Sequence, residues 1–291
     1  MNKITIYNYD EIYLYSCARK EILQYWHDQG WLINSVKYLY EIKDKVLFIY
    51  RDIPYNKLAF FLAIPPMTLD NDYEKEYSLM VDVLNSGVSI RFSSEHLRLY
   101  KDFGIDNLHK EKVQTEYVYY TGDYSNENLV GKKGNYYRNA VNYLEKNGYE
   151  WIWESDNLFV GSLLSSITRV TKEWSKTKID GSKFYHIKIF GYLKDAKILA
   201  LSSPDKRIFG YNITQCIGNT VMYSCEKFLP VYHRQMKAVH YKLSEYWRNY
   251  LGKDIYMNKG ASVGKIGMKQ SKESLRPNEK LEIYKVKNGE K

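Results

Sequence analysis

The stretch that decides the fold reads DIYMNKGASVGKIGMKQSK and covers residues 254–272. It opens on a short run typical of a β-strand and continues into a segment where Gly264 and Gly267 stand among regularly spaced lysines. Glycine lets backbone N–H groups approach a ligand closely, and lysine adds positive charge beside them. The pattern predicts an anion-binding loop that follows a strand.

The residues beyond this loop decide whether it belongs to an ordered structure. Residues 259–291 hold nine Lys or Arg against four Glu, a net charge of +5, which is also typical of a basic disordered tail. However, residues 281–286 alternate apolar and polar side chains like a final strand. We therefore expect the lysines to lie between two ordered elements.

Composition narrows the class of protein. The chain has 291 residues, enough for one large domain or two ordinary ones, and a net charge of +9 that predicts a polyanionic partner. Its three cysteines form no CxxC pair and its six histidines show no ligand spacing, so we expect neither a disulfide framework nor a metal site. The longest apolar run, residues 58–67, is too short to span a bilayer. We expect a soluble, cytoplasmic protein with no transmembrane segment.

The chain divides at a polar, turn-rich stretch, residues 120–128. This predicts an N-terminal domain of residues 1–122 and a C-terminal domain of residues 123–291. Periodicity in the first domain predicts a helix that begins at Glu21 and a helix at 77–87, with strands around 31–41, 45–51, 59–64 and 88–92.

The second domain is easier to interpret. It should contain helices at 136–146, 163–176 and 231–251 and strands at 183–190, 196–201, 208–214, 220–225, 255–257 and 281–286. The four strands from 183 to 225 have short connections, which favours an antiparallel meander. The order of meander, long helix, strand, loop and strand is typical of the second half of a GNAT acyltransferase fold. In that fold the fourth and fifth strands separate, and backbone amides at the next helix start hold the pyrophosphate of an acyl donor.

Three segments carry a resemblance to a known family. They are GKKGNYYRNAVNY at 131–143, YSCEK at 223–227 and the glycine–lysine stretch with Pro277. Together they resemble the C-terminal domain of phosphatidylglycerol lysyltransferases, which consists of two GNAT-like domains in tandem. The resemblance implies an α+β fold with mainly antiparallel sheets flanked by helices, and an acyl or aminoacyl transferase. The donor would be an aminoacyl-tRNA or an acyl-CoA, and the acceptor an amine or a hydroxyl.

The resemblance also implies site residues. Glu226 is the predicted catalytic base or anchor for a substrate amine, and Asn258 is predicted to be catalytic beside it. Residues for the donor and its phosphates are Lys132, Lys133, Arg138, Asn142, Arg234, Lys259, Gly264, Gly267, Lys269 and Lys272. Two alternatives remain open: a surface ion pair between Glu226 and Lys227, and a merely solvated helix face at Arg138 and Asn142.

The chain departs from the family pattern at several positions. Lys259, Gly260 and Ser262 replace an arginine and two acidic residues of the family signature, and the start of the long helix lacks a glycine. These departures support a second hypothesis, a catalytically inert GNAT-like module that binds nucleic acid. Under either hypothesis, we expect tRNA or another nucleic acid as a polyanionic partner, and transient contact with anionic lipid.

Overall fold

The computed structural model describes residues 1–5, 7–24, 27, 32, 38–53, 56–125, 128–129, 131–154, 157–177, 193–262 and 264–287. The helices of this part are α1 (Tyr9–Ala18), α2 (Tyr73–Asn85), α3 (Ser94–Leu99), α4 (Gly131–Lys146), α5 (Asn157–Thr177), α6 (Gln235–Leu251) and α7 (Ile266–Ser274). Its strands are β1 (Asn2–Lys3), β2 (Tyr38–Lys43), β3 (Val46–Ile53), β4 (Asn56–Leu62), β5 (Met67–Thr68), β6 (Ser89–Ser93), β7 (Lys110–Tyr120), β8 (Glu150–Glu154), β9 (Ala196–Ser202), β10 (Ile208–Ile217), β11 (Thr220–Phe228), β12 (Tyr256–Ala261) and β13 (Glu279–Val286).

All of these strands belong to one mainly antiparallel sheet. Its order is β1-β2-β3-β4-β6-β13-β7-β12-β11-β10-β9-β8, and β5 pairs with β3. Helices α4 and α6 cover one face of the second half, where Tyr119, Val239 and Trp247 are part of a large buried cluster. Helix α5 covers the other face, where Cys225 is buried as a strand cysteine. The predicted α+β class is confirmed.

The element order occurs twice along the chain. The run β2-β3-β4-α2-β6-α3-β7 is followed by β9-β10-β11-α6-β12-α7-β13, which is the tandem arrangement that the resemblance implied. The last strands of the two runs are exchanged, because β7 pairs with β12 of the second run and β13 pairs with β6 of the first. The boundary at residues 122 and 123 stays a prediction, and the sheet continues across it.

Each run contains one pair of parallel strands that separate. Strands β11 and β12 pair at Thr220–Tyr256, Val221–Met257 and Met222–Asn258, and the paired register ends there. A gap therefore opens between the carboxyl ends of these strands, as expected for the fourth and fifth strands of a GNAT fold. In the first run, β4 and β6 pair only at Phe61–Ser89 and Leu62–Ile90.

Two predicted elements differ from the structure. Residues 21–24 contain no helix, because Glu21 lies in a buried ion network and the main chain at Leu23 bonds to strand residues of the second run. The segment after β12, predicted to be a loop, contains helix α7. Gly267 falls in its first turn, and the residues that follow favour a helix. The predicted strand at 183–190 lies outside the described residues.

A buried ion network lies near the ends of β4 and β6. The Arg19 guanidinium donates to both carboxylate oxygens of Glu76 at 2.6 and 3.1 Å, and its Nε donates to Glu21 at 2.6 Å. Glu76 belongs to the first turn of α2 and also accepts bonds from the N–H and hydroxyl of Thr68, the last residue of β5. The segment around Glu21 lies between the ends of β4 and β6, because Gln24 donates to the carbonyl of Ala63 just after β4 and Glu21 lies 3.8 Å from His96 just after β6.

The variant Glu76→Gln should lower the free energy of unfolding by about 3 kcal/mol, because the buried Arg19 loses one of its two anionic partners. Urea denaturation would measure the change. Glu74→Gln, on an exposed position of the same helix, is the control. Equal stability of the two variants would contradict a stabilising role for the network.

Candidate active site

One ion pair spans the gap between β11 and β12. Lys259 on β12 donates from Nζ to both carboxylate oxygens of Glu226 on β11, at 3.1 and 2.9 Å. Asn212 on β10 donates to Glu226 Oε2 at 3.1 Å. The predicted alternative pair between Glu226 and Lys227 is wrong, since Lys227 is buried with its ammonium 3.8 Å from the centre of the Trp174 ring.

The two partners of this ion pair differ in exposure. The Lys259 side chain is 4% exposed and its ammonium lies 4.4 Å from the centre of the Tyr223 ring, whereas the Glu226 side chain is 23% exposed. A substrate that enters the gap therefore meets the carboxylate of Glu226 first. Lys259 holds that carboxylate in place from behind.

A buried aromatic layer lies beneath the pair. His240 of α6 shares a hydrogen bond of 3.0 Å between its Nδ1 and the Tyr223 hydroxyl, and its ring lies 4.5 Å from the rings of both Tyr119 and Tyr124. Burial, and then repulsion from Lys259 and Lys237, hold the pKa of His240 well below its ordinary value. The imidazole is therefore neutral.

Asn258 lies at the point where the two strands separate. It is fully buried, donates from Nδ2 to the Leu23 carbonyl and to Glu116, and accepts the Gly260 N–H on Oδ1 at 2.7 Å. Neighbouring residues of a strand point to opposite faces, so Asn258 and Lys259 face different sides of the sheet. These contacts connect β12 to the segment around Leu23.

Lys272 of α7 holds the end of β12. Its Nζ donates to the carbonyls of Lys259, Gly260 and Ala261. Burial, and then the charge of Lys259, lower its pKa to about 7. All three donors of the ammonium thus meet backbone oxygens, and the side chain supports the strand from inside.

The predicted residues of α4 lie apart from the ion pair. Arg138 donates to the Leu129 carbonyl and, at 2.9 Å, to Asn135 Oδ1, so it holds the chain before its own helix. Asn142 is exposed on the same helix. Lys132 and Lys133 belong to the first turn of α4, and their side chains lie outside the described residues.

The remaining predicted donor residues belong to two helix starts. Arg234 directly precedes α6, and its guanidinium lies 4.8 Å from the centre of the Tyr136 ring. Gly264 adopts a φ of 73°, in the left-handed region, just before α7, and Gly267 and Lys269 are exposed on that helix. The structure thus brings together Glu226, Lys259 and Lys272, and the roles of the other predicted donor residues stay predictions.

The start of α6 is closed by Gln235, a residue that sequence reasoning missed. Its Oε1 accepts the N–H groups of Val231 and Tyr232 at 2.8 and 3.1 Å, and its Nε2 donates to the Leu229 carbonyl at 2.9 Å. These two amides lie in the turn before the helix, four and three residues ahead of its first residue. Here those two amides already have a partner.

Asn212 was missed as well. It is a fully buried amide in the middle of β10, where Thr214 and Gln215 are buried polar residues too, so no sequence signal distinguishes it. Across the described ranges, no group of three or more His, Cys, Asp or Glu side chains is arranged to hold a metal ion. Within the same ranges, no helix combines the length and apolar character that crossing a bilayer requires.

Comparisons with known proteins agree with this architecture. The family described as phosphatidylglycerol lysyltransferase, C-terminal, matches residues 30–249. No curated protein matches the chain.

Several solved structures are similar to this one. A conserved protein of unknown function from Bacteroides thetaiotaomicron VPI-5482 is 17% identical with a TM-score of 0.74, and 98% of each chain is covered. The C-terminal domain of a putative lysylphosphatidylglycerol synthetase from Agrobacterium fabrum is 13% identical, with a TM-score of 0.69 and coverage of 97% of this chain and 93% of that one. L-PGS from Bacillus licheniformis is 16% identical, with a TM-score of 0.64 and coverage of 88% and 85%. At these identities the likeness establishes the fold.

Lys272→Met should lower the free energy of unfolding by about 3 kcal/mol, because three buried carbonyls lose their donor. Lys269→Met, on an exposed position of the same helix, is the control. Urea denaturation of both variants measures the difference. A loss no greater than that of the control would show that α7 does not depend on this contact.

The low pKa of His240 predicts a pH dependence of stability. The native imidazole stays neutral while the unfolded chain takes up a proton below about pH 6.5, so the free energy of unfolding falls by about 1.4 kcal/mol per pH unit on acidification. His240→Phe should remove this contribution between about pH 6.5 and about pH 5. The exposed His233→Phe variant should keep the wild-type slope, and an unchanged slope for His240→Phe would contradict the assignment.

Proposed function

The chain belongs to the phosphatidylglycerol lysyltransferase C-terminal family, and we propose that it transfers an aminoacyl group from an aminoacyl-tRNA to an amine or hydroxyl acceptor. Membership in the family confirms the predicted enzyme class, an acyl or aminoacyl transferase. The observation that carries the proposal is the partly exposed Glu226 carboxylate, held by Lys259 inside the gap between β11 and β12.

The start of α6 favours an aminoacyl ester over a thioester as donor. A coenzyme A thioester requires free N–H groups there for its pyrophosphate. In the turn before α6, the amides of Val231 and Tyr232 are bonded to the side chain of Gln235, so this turn offers fewer free N–H groups. An ester on the 3′ end of a tRNA needs no pyrophosphate site, and the net charge of +9 suits a polyanionic donor.

The proposed chemistry is a direct transfer. The acceptor nitrogen or oxygen attacks the ester carbonyl, a new N–C or O–C bond forms, and the bond to the ribose oxygen breaks. Glu226 takes the proton of the attacking group and returns it to the leaving ribose hydroxyl. The ammonium of Lys259 donates to both oxygens of that carboxylate and keeps it oriented toward the attacking group.

The proposed reaction belongs to the second run of elements. In the first run, Glu21 and Gln24 occupy the corresponding place, and the adjoining pair of Arg19 and Glu76 is almost completely buried. We therefore assign the site to the predicted domain of residues 123–291, with Asn258 and Lys272 as residues that position β12. A cytoplasmic location and a transient contact with anionic lipid stay predictions.

A catalytically inert nucleic-acid-binding module is the second candidate. It is favoured by the neutralisation of Glu226 by Lys259 and by the absence of an acidic side chain at Gly260 and Ser262. Gly260, however, adopts a φ of 65° where the pairing register of β12 with β7 shifts. A glycine there has a structural reason that is independent of catalysis.

Glu226→Gln should lower the rate of aminoacyl transfer by about 100-fold or more, because it removes the base. The assay follows loss of the ester from ¹⁴C-labelled total aminoacyl-tRNA with phosphatidylglycerol vesicles, or with a small-molecule extract that supplies amines. Lys259→Met should also be slow, since Glu226 loses the cation that orients its carboxylate.

Glu145→Gln provides the matched control, because Glu145 forms a comparable ion pair with Lys242 at 3.0 Å on the outer surface. It should keep the wild-type rate. Full activity of Glu226→Gln would refute the assigned base. A wild-type protein that binds RNA but consumes no ester would favour the inert module.

A further inference from the structure

Three cationic side chains meet beside the open end of the gap. Arg234 stands just before α6, Lys237 lies in the first turn of α6, and Arg276 follows α7. Lys237 donates to the Ser274 carbonyl at 2.8 Å, which ties the start of α6 to the end of α7. Arg276 adopts a φ of 56°, a conformation uncommon for a residue with a side chain.

These cations repel one another. The pKa of Lys237 is lowered by burial first, and then by the charges of Arg276 and Arg234. Among the residues that the structure describes, no carboxylate lies within ion-pair distance of any of the three. An anionic group placed between them would offset this repulsion.

Exposed aromatic rings adjoin the cations. The Tyr136 ring, 45% exposed, lies under the Arg234 guanidinium. Further along α4, Tyr143 is 43% exposed and stacks on Tyr232 with ring centres 4.0 Å apart and an angle of 16°. The exposed His233 contacts the edge of Tyr232 at 4.5 Å. We call this set of residues, with the three cations, the arginine–tyrosine surface.

This combination suits a single-stranded nucleic acid. Bases stack on tyrosine rings and on arginine planes, and phosphates bind the cations between them. A lipid headgroup would use the same cations, but membrane-binding helices insert apolar side chains such as Trp, Phe and Leu. The exposed rings beside the cations carry hydroxyl and imidazole groups instead.

We propose that the arginine–tyrosine surface binds the single-stranded 3′ end of an RNA, with its phosphates on Arg234, Lys237 and Arg276 and its bases on the exposed tyrosine rings. This inference rests on the proposed function and specifies where its donor docks. The surface flanks the gap, so an aminoacyl group on the terminal ribose would point toward Glu226.

The test measures binding of an uncharged, fluorescein-labelled RNA hairpin with a short single-stranded 3′ extension, by fluorescence anisotropy at several KCl concentrations. Arg234→Gln combined with Arg276→Gln should weaken binding by about 10-fold or more and reduce the slope of log Kd against log salt by about 1.4, because two phosphates no longer meet a cation. Tyr143→Leu should weaken binding about 10-fold and leave that slope unchanged.

Lys43→Gln combined with Lys101→Gln removes the same charge from exposed positions of the first run, outside the surface, and is the matched control. It should change affinity by no more than about twofold. The proposal is overturned if the blunt hairpin binds as tightly as the extended one, or if the double arginine variant binds like the wild type. If the double arginine variant loses binding to phosphatidylglycerol vesicles but still binds RNA, the surface binds lipid instead.

The binding assay needs no transfer, so the two proposals can fail separately. Tight, extension-dependent RNA binding together with full activity of Glu226→Gln would retain the surface and reject the catalytic base. Transfer that depends on Glu226 with no effect of the double arginine variant on RNA binding would do the reverse.

Discussion

The structure depends on how the backbone of β12 is satisfied where it leaves β11. A strand inside a sheet that loses its neighbour exposes N–H and C=O groups, and such groups are costly when they are buried without partners. Lys272 donates to three successive carbonyls of β12, and the Asn258 side chain accepts the N–H of Gly260. These contacts let the two strands separate while the sheet stays intact. The separation is in turn what leaves space for Glu226 and Lys259 to meet.

The two runs of elements share this constraint and meet it differently. In the second run, side chains support one strand and leave a carboxylate partly exposed in the gap. In the first run, Glu21 and Gln24 occupy the corresponding place, next to the buried pair of Arg19 and Glu76. The same architecture therefore yields an open gap between β11 and β12 and a buried ion network in the first run. The ion network also anchors the segment around Leu23, whose carbonyl accepts a hydrogen bond from Asn258 on β12.

Much of the second half could be predicted from sequence because its elements are long and periodic. The strands at 196–201, 208–214 and 220–225 and the helix at 231–251 are all present, as β9, β10, β11 and α6. Helix α7 was predicted as a loop, because glycines spaced three apart among lysines suggested a ligand loop. The pairing of Glu226 with Lys259 rather than Lys227 depends on a contact between distant strands, which no local pattern contains. The role of Gln235 could not be predicted either, because its side chain folds back onto the turn before its own helix, and no sequence pattern shows that contact.

The exchange of β7 and β13 has a consequence for how the chain acquires this structure. On the side of β6 that faces away from β4, Ile90 pairs with Val286, so the first run lacks a strand until the last one has been synthesised. Contacts between such distant residues close large loops, and they slow folding. A ribosome-bound chain that ends before β13 would expose one edge of β6, together with the edge of β7 that pairs with β13 in the finished sheet. The first run is therefore completed only by the last strand of the chain, whereas the second run pairs with β7, which is synthesised before it.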